Sequence, residues 1–87
     1  MSREFGVLDQ LGGGDLPVSV LRGLFSDDGK FHRAILAMVE SGDVEVFEPS
    51  TGTVPLWRLQ ELSREQSSWW NDQTLRARIT AAGTRRL

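Results

Sequence analysis

The sequence predicts an α+β fold: a three-helix core closed by a small antiparallel β-sheet that carries a long insertion. Three observations predict it. Apolar residues recur at helical spacing in three successive segments between residues 5 and 42, the apolar period drops to two at 44–48, and that period returns at 75–80. Helices with one apolar stripe need a cover, and a sheet placed after them closes a single core.

The first helix is marked by Phe5, Leu8 and Leu11, which line one side before Gly12, Gly13 and Gly14 stop it. Asp15 then reads as an N-cap with Pro17 in the first turn, where its missing N–H is harmless. Leu16, Val20, Leu21, Leu24 and Phe25 continue at helical spacing as a second helix of about three turns, ended by Ser26, Asp27, Asp28 and Gly29. In the third segment, Phe31, Ile35, Met38 and Val39 share one face, while Lys30, Arg33, Ala37 and Glu40 lie opposite. Gly42 supplies its C-terminal stop.

Val44, Glu45, Val46, Phe47 and Glu48 form the first strand, with one buried face, followed by turn chemistry at Pro49, Ser50, Thr51 and Gly52. Residues 53–59 return as the second strand, with Pro55 confining it to an edge; a helix over 55–66 is the alternative. Ser63-x-x-Gln66 has capping-box spacing and predicts a short helix through Trp69 and Trp70. Leu75, Ala77 and Ile79 alternate with Arg76, Arg78 and Thr80 as the last strand, and a turn of helix follows. Residues 1–87 read as one domain, without repeats or a linker.

Composition narrows the function. Apolar residues make up 39% and charged residues 25%, the balance of a folded chain. The sequence has no cysteine, which excludes disulfides, thiolate zinc sites and a cysteine nucleophile. The opening Met1-Ser2-Arg3-Glu4 lacks the pattern of a secretory signal, and no apolar run approaches the roughly 20 residues of a membrane span. A cytoplasmic protein without a membrane partner is expected. The net charge of −2 argues against an indiscriminate polyanion binder. Charge is nevertheless uneven: residues 1–48 hold four basic against nine acidic groups, whereas 49–87 hold six against three. That asymmetry can orient a polyanion toward the second half.

Two stretches, FHRAILAMVESGDVEVF at 31–47 and LRARITAAGTRRL at 75–87, resemble the winged helix-turn-helix family, in particular PadR-like and MarR-like bacterial regulators. The first is similar to a recognition helix running through a glycine into a wing strand. The second is similar to the returning wing strand followed by a Thr-x-x-Gly turn and a helix start. The resemblance implies transcription regulation by DNA binding, with the exposed face of the third helix in the major groove and the wing on the neighbouring backbone. Lys30 and Arg33 would then face double-stranded DNA, with Arg58 and Arg64 touching it from the wing, of which the turn at 49–52 is part. The sequence departs from the family pattern in three places. Residues 49–74 form an insertion of 26 residues, far longer than a hairpin loop. Asp27 and Asp28 precede the third helix, where they would repel phosphate. The sequence also stops soon after Gly83, without the long terminal helix that many relatives use to dimerise.

Lys30, His32 and Arg33 could contact phosphates and bases, and arginine can bind guanine bidentately. A merely solvated helix face is the competing reading. Arg76 and Arg78 are expected to pair with Glu45 across the sheet rather than to grip a ligand. All three tryptophans, Trp57, Trp69 and Trp70, fall within the insertion. The economical expectation is that they cover a mini-core holding it in place. With Arg58 and Arg64 nearby they could instead stack on single-stranded bases or form a hot spot for a protein partner.

Catalysis has little support, and a non-enzymatic role is expected. His32 is the only histidine, so no histidine cluster can hold a metal, and no G-x-S-x-G elbow exists. The stretch from Gly23 to Lys30 fails as a phosphate loop: five residues separate Gly23 from Gly29, and Phe31 replaces the required hydroxyl residue. Glu61 and Glu65 lie one helical turn apart, the spacing of a solvated face. No cofactor is expected. The two functional expectations are therefore duplex DNA binding through Lys30, Arg33, Arg58 and Arg64, or protein contact through Trp57, Trp69 and Trp70.

Overall fold

The computed structural model describes residues 3–86, with side chains from residue 6 onward. The expected inward position of Phe5, and the opening residues read for a leader, lie outside the described residues and side chains. Five α-helices and a four-stranded antiparallel sheet make an α+β fold. Among the described residues, no helix is long and apolar enough to cross a membrane.

Helix α1, Arg3–Leu11, buries Val7, Leu8 and Leu11 and ends at the glycine run. The second helix is shorter than its apolar spacing suggests. Leu16–Pro17 form strand β1, and α2 covers only Val18–Arg22. Asp15 does not cap it, because its carboxylate receives the Nε–H of Arg76 at 2.8 Å. Pro17 is extended (φ −58°, ψ 141°), and the Val18 N–H donates to the Leu75 carbonyl at 3.1 Å. An edge strand tolerates proline, since no ladder partner is lost there.

The Ser26–Gly29 segment, expected to end α2, in fact starts α3, Asp28–Glu40. Asp27 is its N-cap and accepts from the Lys30 N–H at 2.8 Å. Phe31, Ala34, Ile35 and Met38 are buried on one side of α3. Gly42 takes φ 84°, its N–H reaches the Val39 carbonyl, and the Asp43 N–H reaches that of Met38. This is a Schellman ending, which a side chain at Gly42 would strain.

Strands β2, Val44–Glu48, and β3, Gly52–Thr53, form a hairpin. Strand β4, Arg76–Ile79, pairs with both β2 and β1, giving the order β1-β4-β2-β3. Register sets Val44 opposite Ile79 and Val46 opposite Ala77 on the core side, with Glu45 opposite Arg78 on the outside. The expected return strand over 53–59 stops at Thr53, and the helical alternative forms instead as α4, Leu56–Glu65. Pro55 is extended at its N-cap position, where its missing N–H costs nothing, and Leu56, Leu59 and Leu62 give α4 an apolar stripe. The capping box at Ser63 does not form, because Ser63 lies inside α4. Its hydroxyl accepts from the Trp69 indole at 3.1 Å. A single 3₁₀ turn, Trp69–Asn71, replaces the expected short helix.

Helix α5, Ala81–Arg85, is capped by Thr80, whose hydroxyl accepts from the Gly83 N–H at 3.1 Å. Gly83 lies against the turn between α3 and β2. A methyl there would overlap the Asp43 carbonyl and come within 2.7 Å of Ile79. Asp43, only 3% exposed, accepts from the Ser41 hydroxyl and from Arg86.

One cluster of buried side chains unites these elements. Phe31 stands within it, its ring 5.7 Å from Phe25 and 6.0 Å from Trp69. The expectation that the three tryptophans cover a mini-core holding the insertion in place is met in part. Trp69 enters the common core with Leu59 and Leu75, Trp70 packs at its edge, and Trp57 is left 63% exposed.

Candidate functional site

Helix α3 has two unlike flanks. On one, His32 Nε2 lies 3.1 Å from the Ser67 carbonyl, in donating geometry, and its ring stacks on Trp69 at 6.0 Å. Beside it, Asp28 accepts from Arg22 at 2.7 Å and from the Trp70 indole at 2.9 Å, while the Arg22 guanidinium sits 5.3 Å above the Trp70 ring. Arg22, and then the Trp70 N–H, hold the Asp28 carboxyl below its ordinary value. This clamp ties residues 66–71 to α2 and α3, and sequence reasoning missed it.

The other flank is open. Gly29, Lys30, Arg33, Ala37 and Glu40 are exposed there, as the helical period predicts. Lys30 and Arg33 stand one turn apart, with the short Ala37 side chain a further turn on from Arg33. Among the described residues, Lys30, Arg33, Arg64 and Arg85 are the cations without an ionic or hydrogen-bonded side-chain partner. The acidic residues at the start of α3 both have partners, Asp27 as its cap and Asp28, the first residue of the helix, in the clamp.

The other expected contacts divide. Arg58 pairs with Glu61 within α4, so its charge is already matched. Arg64, on the last turn of α4, is exposed and unpaired. Of the tryptophans, only Trp57 offers its ring to solvent. Arg78 pairs with Glu45 at 3.0 Å, as expected, and its guanidinium lies 4.7 Å from the Phe47 ring. Arg78 and the Thr53 hydroxyl lower the Glu45 carboxyl, and the same pair raises Arg78. Arg76 departs from expectation and bonds to Asp15, whose carboxyl it lowers. Arg76 and Arg78 of the sheet are thereby charge-matched, which leaves Lys30 and Arg33 on α3, Arg64 on α4 and Arg85 on α5 as the unmatched cations among the described residues.

A cleft of about 310 Å³ opens beside the end of α4, with Leu62, Gln66, Trp69, Asp72 and Leu75 among its walls. Asp72 is satisfied by the Thr74 hydroxyl and N–H at 2.7 and 2.9 Å, which lower its carboxyl. The cleft thus offers hydrogen-bonding walls and the Asp72 carboxylate, which has hydrogen-bond donors but no cationic partner among the described residues.

No protein-family model matches this chain, and no match is found among curated proteins or solved structures.

Proposed function

We propose that this chain is a non-enzymatic winged-helix module that binds double-stranded DNA. The observation that carries the reading is the open flank of α3, where Lys30 and Arg33 are unpaired beside the small Ala37. A helix with two free cations and little bulk can enter a major groove, set its register on phosphates and present an arginine to guanine. The passage from α3 through Gly42 into β2 supports the winged-helix assignment, as do the return of β4 and the Thr80-x-x-Gly83 turn. The ion pair between Asp28 and Arg22 supports it further, because it matches one of the two acidic charges at the start of α3, while Asp27 keeps its charge as the cap.

Fluorescence anisotropy with random duplex DNA, at low and moderate salt, tests the proposal. Binding is expected in the range of about 10⁻⁴ to 10⁻⁶ M and to weaken as salt rises. Lys30→Ala should reduce the log–log salt slope by roughly 0.9, the share of one phosphate contact, and Arg33→Ala should lower affinity, neither moving the thermal melt. No binding at either salt overturns the reading. A second reading, contact with a protein, is favoured by Trp57, an exposed aromatic of the kind that anchors interfaces.

A further inference from the structure

Helix α4 buries Leu59 and packs Leu62 against the core, with Leu56 half-buried, and leaves Trp57, Gln60 and Arg64 exposed along its outer side beside the half-buried Glu61, one of whose oxygens is held by Arg58. These four follow the i, i+3, i+4, i+7 spacing of a seam along which two helices pack. The stripe is also palindromic in chemistry, with an aromatic ring at one end, a guanidinium at the other, and an amide beside a carboxylate between them. Trp57 is 63% exposed, and neither its indole nor the Arg64 guanidinium has a partner among the described residues.

We propose that α4 is a self-pairing helix through which two copies of this chain associate antiparallel about a two-fold axis passing between Gln60 and Glu61. In that register each Trp57 lies against the second copy's Arg64, and each Gln60 amide meets the second copy's Glu61 carboxylate. A guanidinium over an indole face is favourable, as is an amide donating to a carboxylate. Symmetry makes every pair occur twice, as in any isologous contact. The alternatives are worse matched. Parallel pairing would set Arg64 on Arg64 and Glu61 on Glu61, and a shift of one residue would bring Arg58 against Arg64. Self-complementarity is what names a second copy as the occupant, since an unrelated partner would need only one half of the pattern.

A ten-residue helix is about 15 Å long, so its contact falls below the standard interface size and the association is weak and reversible. The proposal deepens the protein-contact reading of Trp57 and is independent of DNA binding.

Sedimentation equilibrium of the whole chain, from micromolar to millimolar concentration, tests it. The expected result is a mass rising reversibly from monomer to dimer. Trp57→Ala and Arg64→Glu should each weaken association about tenfold or more, because each removes both symmetry-related ring–cation contacts. Arg64→Lys should restore part of the loss. Thermal melts of dilute samples should stay unchanged, since both side chains lie outside the core, and Lys30→Ala and Arg33→Ala should dimerise as the parent does. A chain that stays monomeric at the highest concentration overturns the proposal. So does a Trp57→Ala variant that associates as tightly as the parent. A monomer that binds a different protein through Trp57 overturns self-pairing while leaving the broader protein-contact reading in place.

Discussion

At Gly83 the missing side chain is the structural feature. Thr80 caps α5 through the Gly83 N–H, and the glycine lets that first turn press against the Asp43 carbonyl. Gly83→Ala drives a methyl into backbone that cannot move aside, so a loss of about 1–3 kcal/mol or more is expected. In a thermal melt this is a drop of about 4–8 °C per kcal/mol for a domain of this size; an unchanged melt would show that α5 is not docked there. The carboxylates act at the same scale. Asp15, Asp28, Glu45 and Asp72 all titrate below their ordinary values of 3.8 for aspartate and 4.5 for glutamate, held by Arg76, Arg22, Arg78 and Thr74 respectively. As acid is added, the unfolded chain therefore takes up these protons first. Their contribution is complete above the ordinary values and disappears as pH falls through the lowered ones. The urea midpoint should consequently fall between about pH 5 and pH 2. A midpoint constant over that range would contradict these pairings.

Among the elements, α4 and the turn after it depend on Trp69. Its ring reaches Phe31 and His32 of α3, and its indole N–H reaches Ser63 of α4. Trp69→Ala should cost about 3–5 kcal/mol, a large share of the stability of a small domain. Trp69→Phe keeps most of the apolar mass and loses the Ser63 bond, at about 1 kcal/mol. Equal melts by circular dichroism for the two variants would mean that the ring is not packed as described. Elements with local signals were legible in the sequence. The period of α3, the glycine ending it, the alternation in β4 and the threonine cap and glycine of the first turn of α5 all lie within a few residues of the structure they specify. Strand β1 was not legible, because Leu16 and Pro17 become a strand only through Ala77 and Arg76, far along the chain. The start of α4 was ambiguous because Pro55 suits both an edge strand and a helix N-terminus. Leu56, Leu59 and Leu62 settle it by giving a helix a face to bury.

For the whole molecule, the exposed side of α3 could be read from its period, but the state of its charges could not. Whether a cation is free depends on partners brought in by the fold. Arg76 finds Asp15 61 positions away, Arg78 finds Glu45 33 away, and Arg86 finds Asp43 43 away. Among the described residues these pairings leave Lys30, Arg33, Arg64 and Arg85 unmatched, and they remove Arg58 from the expected set. The tryptophans show the same principle in depth: one lies in water, one half under a guanidinium, and one 4% exposed beside the rings of Phe31 and His32. Because indole emission responds to its surroundings, the chain carries its own set of optical probes. In variants that keep one tryptophan at a time, Trp57 reports on the outer stripe of α4, Trp70 on the clamp and Trp69 on the core, so each part can be followed without an added label.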